Sequence, residues 1–197
     1  MTSIARAAFT LALLAAAAPS AFAHPALPPS TATSLYAPYA FLIGDWDVTP
    51  ASERSRLVIT FRWGPNQSYI WFAAHTLDDG HEAPHFEGML MWNGTRGDLD
   101  MLVALDMNGG RMQEQGTVHA EPDGSVVRDI TAVYAAGVAL AGGGQAGPKG
   151  ATAHFRQTFR ALAPDRIETA ALRDNNGTWV ATFPGSDHLL MTRRAPR

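Results

Sequence analysis

Short apolar stretches, broken by turn residues at intervals of about ten positions, run through this chain from Gly44 onward, and that punctuation constrains the fold most. Gly64-Pro65-Asn66, Asp78-Asp79-Gly80, Asn93-Gly94, Asn108-Gly109-Gly110, Pro122-Asp123-Gly124, Asp174-Asn175-Asn176-Gly177 and Pro184-Gly185-Ser186-Asp187 all carry residues that reverse a chain with little strain. Between the first of these and the preceding Ser/Pro-rich run, Arg56 to Trp63 alternates cleanly. Leu57, Ile59, Phe61 and Trp63 share one face, and Val58, Thr60 and Arg62 share the other. Ser68 to Leu77 is apolar on both faces, so the pattern does not fix its inward side.

The remaining segments are His85 to Asn93, Asp98 to Met107, Arg111 to Glu121, Ser125 to Ala135, Ala151 to Leu162, Arg166 to Arg173, Thr178 to Phe183 and His188 to Arg194. With about ten strands, no long helix and short connections, the chain is predicted to be all-β. A single antiparallel up-and-down barrel is the expected form, because closure removes the unpaired edges. One connection is long: Gly137 to Gly150 is Gly-rich. It leads into another strand, not into a helix carrying a phosphate-binding Lys-Ser/Thr pair, so it reads as a loop, and its length suggests a flap at a barrel mouth.

The N-terminus carries an address. Met1 to Arg6 has one positive charge, Ala7 to Ala18 is an apolar run too short to span a bilayer, and Ala21-Phe22-Ala23 is an A-x-A cleavage site. Residues 1–23 are therefore expected to be a signal peptide, residues 24–40 a flexible Pro-rich leader, and residues 41–197 the barrel domain of a periplasmic or secreted protein. Loss of residues 1–23 removes Arg6 and no acid, so the net charge of -3 becomes -4. That balance gives no footprint for nucleic acid, and no second apolar run is long enough for a membrane span. The chain has no cysteine, so stability in an oxidising compartment must come from packing and backbone pairing.

Gly44-Asp45-Trp46, preceded by the apolar turn Leu35 to Leu42, resembles the G-x-W signature of the calycin superfamily, the lipocalins and their relatives. The whole mature chain is most similar to small bacterial lipocalin-like proteins of unknown function, with Asn176-Gly177-Thr178-Trp179 as a second point of likeness. The resemblance implies that Trp46 closes one end of the barrel under a basic residue of the last strand. Arg194 is expected there, with its neighbour Arg193 as the other choice. A guanidinium in that place would stack on the indole and donate to strand-end carbonyls.

The end of the chain, His188-Leu189-Leu190-Met191-Thr192-Arg193-Arg194, also resembles the nitrobindins, calycin barrels that bind heme through a histidine of the last strand. That likeness implies His188 as an axial heme ligand; apart from it, no cofactor is expected. Strand parity links the two expectations. If Arg194 meets Trp46, His188 shares the inward face; if Arg193 does, His188 faces solvent.

Other residues are candidates on their chemistry. His75, His81 and His85 lie close together in sequence among carboxylates and could offer nitrogen ligands to a divalent metal. The aromatic and Met-rich strands suit an adaptable cavity for a small, largely apolar molecule. Trp71, Glu87, Met89, Glu114, Gln157 and Phe159 are the expected pocket residues. A carrier without chemistry of its own is the first reading. A heme protein using His188 is the second, and a barrel enzyme using an inward Glu87 or Glu114 is the third. Nucleophilic catalysis has no support, since the chain lacks cysteine and a G-x-S-x-G elbow.

Overall fold

The alternation read from the sequence is the alternation of the wall. The computed structural model describes residues 35–49, 55–78, 81–107, 110–134 and 150–195. A short 3₁₀ helix (Ala37–Leu42) leads into β1 (Gly44–Thr49), β2 (Ser55–Trp63), β3 (Tyr69–Asp78), β4 (His81–Asn93), β5 (Asp98–Met107) and β6 (Gly110–Ala120). After these come β7 (Val126–Tyr134), β8 (Thr152–Ala163), β9 (Arg166–Asn175), β10 (Thr178–Ala181) and β11 (Leu189–Arg193).

Each strand pairs antiparallel with the next from β1 to β9, and β11 returns between β9 and β1. Ten strands thus close a barrel, and β10 is an eleventh, added alongside. The first half of β9 pairs with β11, whereas Leu172 to Asn175 pair with β10. The β9–β10 turn has Asn176 at φ 55° and Gly177 at φ 85°, the two left-handed residues that a two-residue hairpin needs. Among the described residues no helix is long and apolar enough to cross a membrane.

Two local features bend the expected pattern. The β3–β4 register shifts between Ala74 and His75, so that Phe86 faces Ala74 while Pro84 faces His75, and His85 is the extra residue of a bulge. Pro84 lacks a donor, and it lies where β4 has β3 on one side and no described pairing to β5 on the other.

Tyr36 and Tyr39, within the segment expected to be leader, are buried at the base of the barrel. The Tyr36 hydroxyl donates to Ser68 O at 2.8 Å and accepts from Trp92 N at 2.8 Å, and the Tyr39 hydroxyl donates to Val118 O at 3.3 Å. These bonds tie the helix to β4, to β6 and to the turn before β3. Residues 1–34, which include the expected signal peptide, lie outside the described residues, as does the Gly-rich connection up to residue 149.

Candidate functional site

The base of the barrel is a clasp. Trp46 is fully buried, its Nε1 donates to Leu42 O at 2.7 Å, and the guanidinium of Arg193 lies 4.2 Å from its ring centroid. Arg193 donates through Nη1 to Ile43 O at 2.8 Å and through Nε to Pro164 O at 3.0 Å. Gly44 adopts φ +144°, and a Cβ there would stand 2.1 Å from Arg193 Nη1, so both halves of the Gly-x-Trp pair serve the same arginine.

This corrects the expectation for Arg194. Trp46 is opposite Arg193, while the Nε of Arg194 lies 3.4 Å from Asp47 on the outer face. The parity argument then places Leu189 and Met191 inward, and both are buried. His188 is exposed, in an outer groove with Asp123, Arg160 and Glu168. A histidine on the outer wall cannot ligate a heme held inside, so the reading through His188 loses its ligand.

Above the clasp the interior is layered. The lowest layer is sealed: Phe61, Ile70, Leu99, Phe159 and Met191 have almost no accessible surface, and Phe61 meets Phe159 edge-on at 6.2 Å from the opposite wall. The middle layer is crossed by Arg128 of β7. Its guanidinium sits 4.8 Å from the Phe72 centroid, donates to Gln157 Oε1 at 2.8 Å, and contacts Met101 Sδ at 2.8 and 3.1 Å. Gln157 in turn donates to Thr169 Oγ1 at 3.4 Å.

Glu114 of β6 stands just above, with Oε2 4.0 Å from Arg128 Nη2. The two side chains differ in access: that of Glu114 is 14% exposed and that of Arg128 is 5% exposed. Towards the rim, Tyr134 of β7 and Arg173 of β9 complete a polar group among Phe86, Leu105, Met112 and Phe155. The Nε of Arg173 is buried without a hydrogen-bond partner.

Burial sets the electrostatics. It pushes the Glu114 carboxyl up, with the Arg128 charge opposing, and it pulls Arg128 down to about 10, with Glu114 opposing. The Tyr134 phenol is raised by burial and by Glu114, and is lowered by Arg173, so it lies within the field of both charges.

The sequence-predicted pocket residues divide between the two faces. Glu114 and Gln157 are inside, and Phe159 belongs to the sealed floor. Trp71, Glu87 and Met89 are outside: Trp71 Nε1 donates to Glu87 Oε1 at 2.6 Å, and all three line an external groove with Leu102 and Gln113. The reason is the pairing of Phe61 with Phe72, which turns Phe72 inward and Trp71 outward. An interior carboxylate chemistry would therefore rest on Glu114 and not on Glu87.

The histidines do not converge. His81 is exposed opposite Asp78, His75 faces Pro84, and His85 sits in the bulge with its pKa lowered by burial. Among the described residues no group of three His, Asp or Glu side chains is placed to hold a metal.

Arg128, Tyr134 and Arg173 are the site residues that sequence reasoning missed. A signal was present: Val126, Arg128, Ile130, Ala132 and Tyr134 form one face of β7, and Asp129 and Thr131 mark the other as the polar side. Compared with protein-family models and with curated proteins, the chain matches none.

Proposed function

We propose that this is an exported, calycin-like barrel that binds a small, largely apolar ligand in the upper half of its lumen. The observation that supports the reading is the accessible surface kept by three inward-facing side chains of the upper wall. Near the base Phe61, Ile70, Leu99, Phe159 and Met191 are sealed, whereas inward Phe86, Glu114 and Phe155 higher up keep accessible surface. A ten-strand wall is wider than the eight-strand barrel that its own side chains just fill. Two aromatic rings and one carboxylate, Phe86, Phe155 and Glu114, have the mixed composition expected of a ligand site.

Uptake of the neutral apolar dye N-phenyl-1-naphthylamine tests this. Fluorescence should rise on addition of the folded protein, and Ala153→Trp, which adds bulk at an inward upper position, should weaken uptake about tenfold or more. Absence of dye uptake by well-folded protein would remove the reading. Fractionation of the source cells tests export.

A further inference from the structure

We infer that the outer wall carries a second site, a groove beside Trp179 that binds a neutral sugar. It is independent of the lumen and of whatever the lumen holds. Thr117, Asp129, Thr131, His154, Asp174 and Trp179 line it together. Its volume of about 530 Å³ falls within the range of small-molecule sites, roughly 300–1,000 Å³. The strand registers bring these residues to one place. Thr117 is opposite Asp129, Thr131 opposite His154, Asp129 opposite Arg156, and Trp179 opposite Asp174.

Trp179 is a costly residue for that position. β10 is four residues long, and Trp179 lies on its outward face, where no core needs filling, yet the residue stays 38% exposed. The guanidinium of Arg156, a residue of β8, reaches across β9 and lies 4.7 Å from the ring centroid, so the indole is held in place without being covered. Arg156 also donates through Nε to Asp129 Oδ1 at 2.7 Å, and Thr131 and His154 are joined at 3.3 Å. The side chains of Arg156 and Asp129 are 39% and 37% exposed. Among the described residues, neither Nη group of Arg156 nor Oδ2 of Asp129 has a hydrogen-bond partner.

Those groups set the class of the ligand. The electron-rich face of an indole attracts C–H groups that carry partial positive charge, as the ring hydrogens of a pyranose do. Beside it, free guanidinium N–H groups donate and a free carboxylate oxygen accepts. Adjacent hydroxyls need both, because each hydroxyl donates and accepts. The charges of Arg156 and Asp129 offset each other, and the Asp174 carboxylate already accepts from Gly177 N at 2.7 Å. A net charge on the ligand would gain little there, so an uncharged polyol suits the groove.

The probes are two neutral trisaccharides, maltotriose and triacetylchitotriose, followed by saturation-transfer NMR and by tryptophan fluorescence on the folded protein. At least one should bind with a dissociation constant of about 1 mM. Trp179→Ala should weaken it tenfold or more. Asp129→Asn, an isosteric change at a surface ion pair, should weaken it several-fold and leave the circular dichroism spectrum unchanged. Absence of binding by both sugars up to about 20 mM would overturn the inference. Unchanged affinity in both variants would also overturn it, as would displacement of N-phenyl-1-naphthylamine by the sugar, which would place the sugar in the lumen. Tighter binding of deacetylated, protonated chitotriose than of both neutral sugars would overturn it too, by showing a site for cations. Failure of the dye to bind removes the lumen reading and leaves this one standing.

Discussion

Removal of the Arg193 guanidinium should damage the protein far more than removal of the one beside it. In Arg193→Ala the base loses donors to Ile43 O at 2.8 Å and Pro164 O at 3.0 Å, together with the stack 4.2 Å above Trp46. The guanidinium is partly accessible, so each charged hydrogen bond is taken at the low end, about 1.5 kcal/mol. The cation–π contact adds about 0.5 kcal/mol. A destabilisation of about 3.5 kcal/mol results. In Arg194→Ala the 3.4 Å approach to Asp47 and a weaker attraction to Asp45 are lost, both near the surface and together expected to be worth less than about 1 kcal/mol. Urea unfolding followed by tryptophan fluorescence and circular dichroism separates the two. With a slope of about 2 kcal/mol per M, the midpoint should fall by about 1.8 M in Arg193→Ala and by less than about 0.5 M in Arg194→Ala. Arg193→Lys keeps the charge but loses the planar fork, and it should recover less than half of the deficit. Equal losses at the two arginines, or a larger loss at Arg194, would refute the clasp.

Gly44→Ala should destabilise by about 1–3 kcal/mol, because φ +144° is strained for any residue with a Cβ and that carbon would displace the Arg193 fork. Combined with Arg193→Ala, the two losses should be less than additive in a double-mutant cycle. At Gly88, an added Cβ would lie 2.7 Å from Leu102 O and 2.8 Å from Phe72 Cζ, so Gly88→Ala should cost about 1–3 kcal/mol by overpacking, read as a lower melting temperature. His85 has its pKa depressed by burial, so the unfolded chain takes up its proton first. The associated stability is complete above about pH 6.5 and is lost as the pH falls below that value. His85→Gln should therefore flatten the acid limb of a stability–pH curve measured by urea titration.

The strands were legible because their turns announce themselves and because β2 and β7 alternate without a break. The clasp was legible in kind: a Gly-x-Trp pair at the first strand and two arginines at the last could meet in few ways. Which arginine was not, since adjacent residues of a strand point to opposite faces and only the pairing of Trp46 with Arg193 decides between them. The same ambiguity sent Trp71, Glu87 and Met89 to the wrong face. β3 is apolar on both sides, and a five-residue connection between β2 and β3 does not fix a register as a two-residue turn would. Arg128 and Arg173 escaped notice for another reason. An arginine among apolar neighbours looks the same in sequence whether its head reaches out to water or is buried within the lumen.

The closed ring has a kinetic side. From β1 to β10 every strand pairs with its predecessor in sequence, so those contacts can form early by local chain closure. The seam between β1 and β11 is different: Ile43 and Arg193, which meet there, are 150 positions apart. Such a junction forms late, and interactions absent from the folding transition state govern how fast a protein comes apart. The arginine over Trp46 is thus expected to act as a brake on opening, and its loss should accelerate unfolding while leaving the folding rate nearly unchanged.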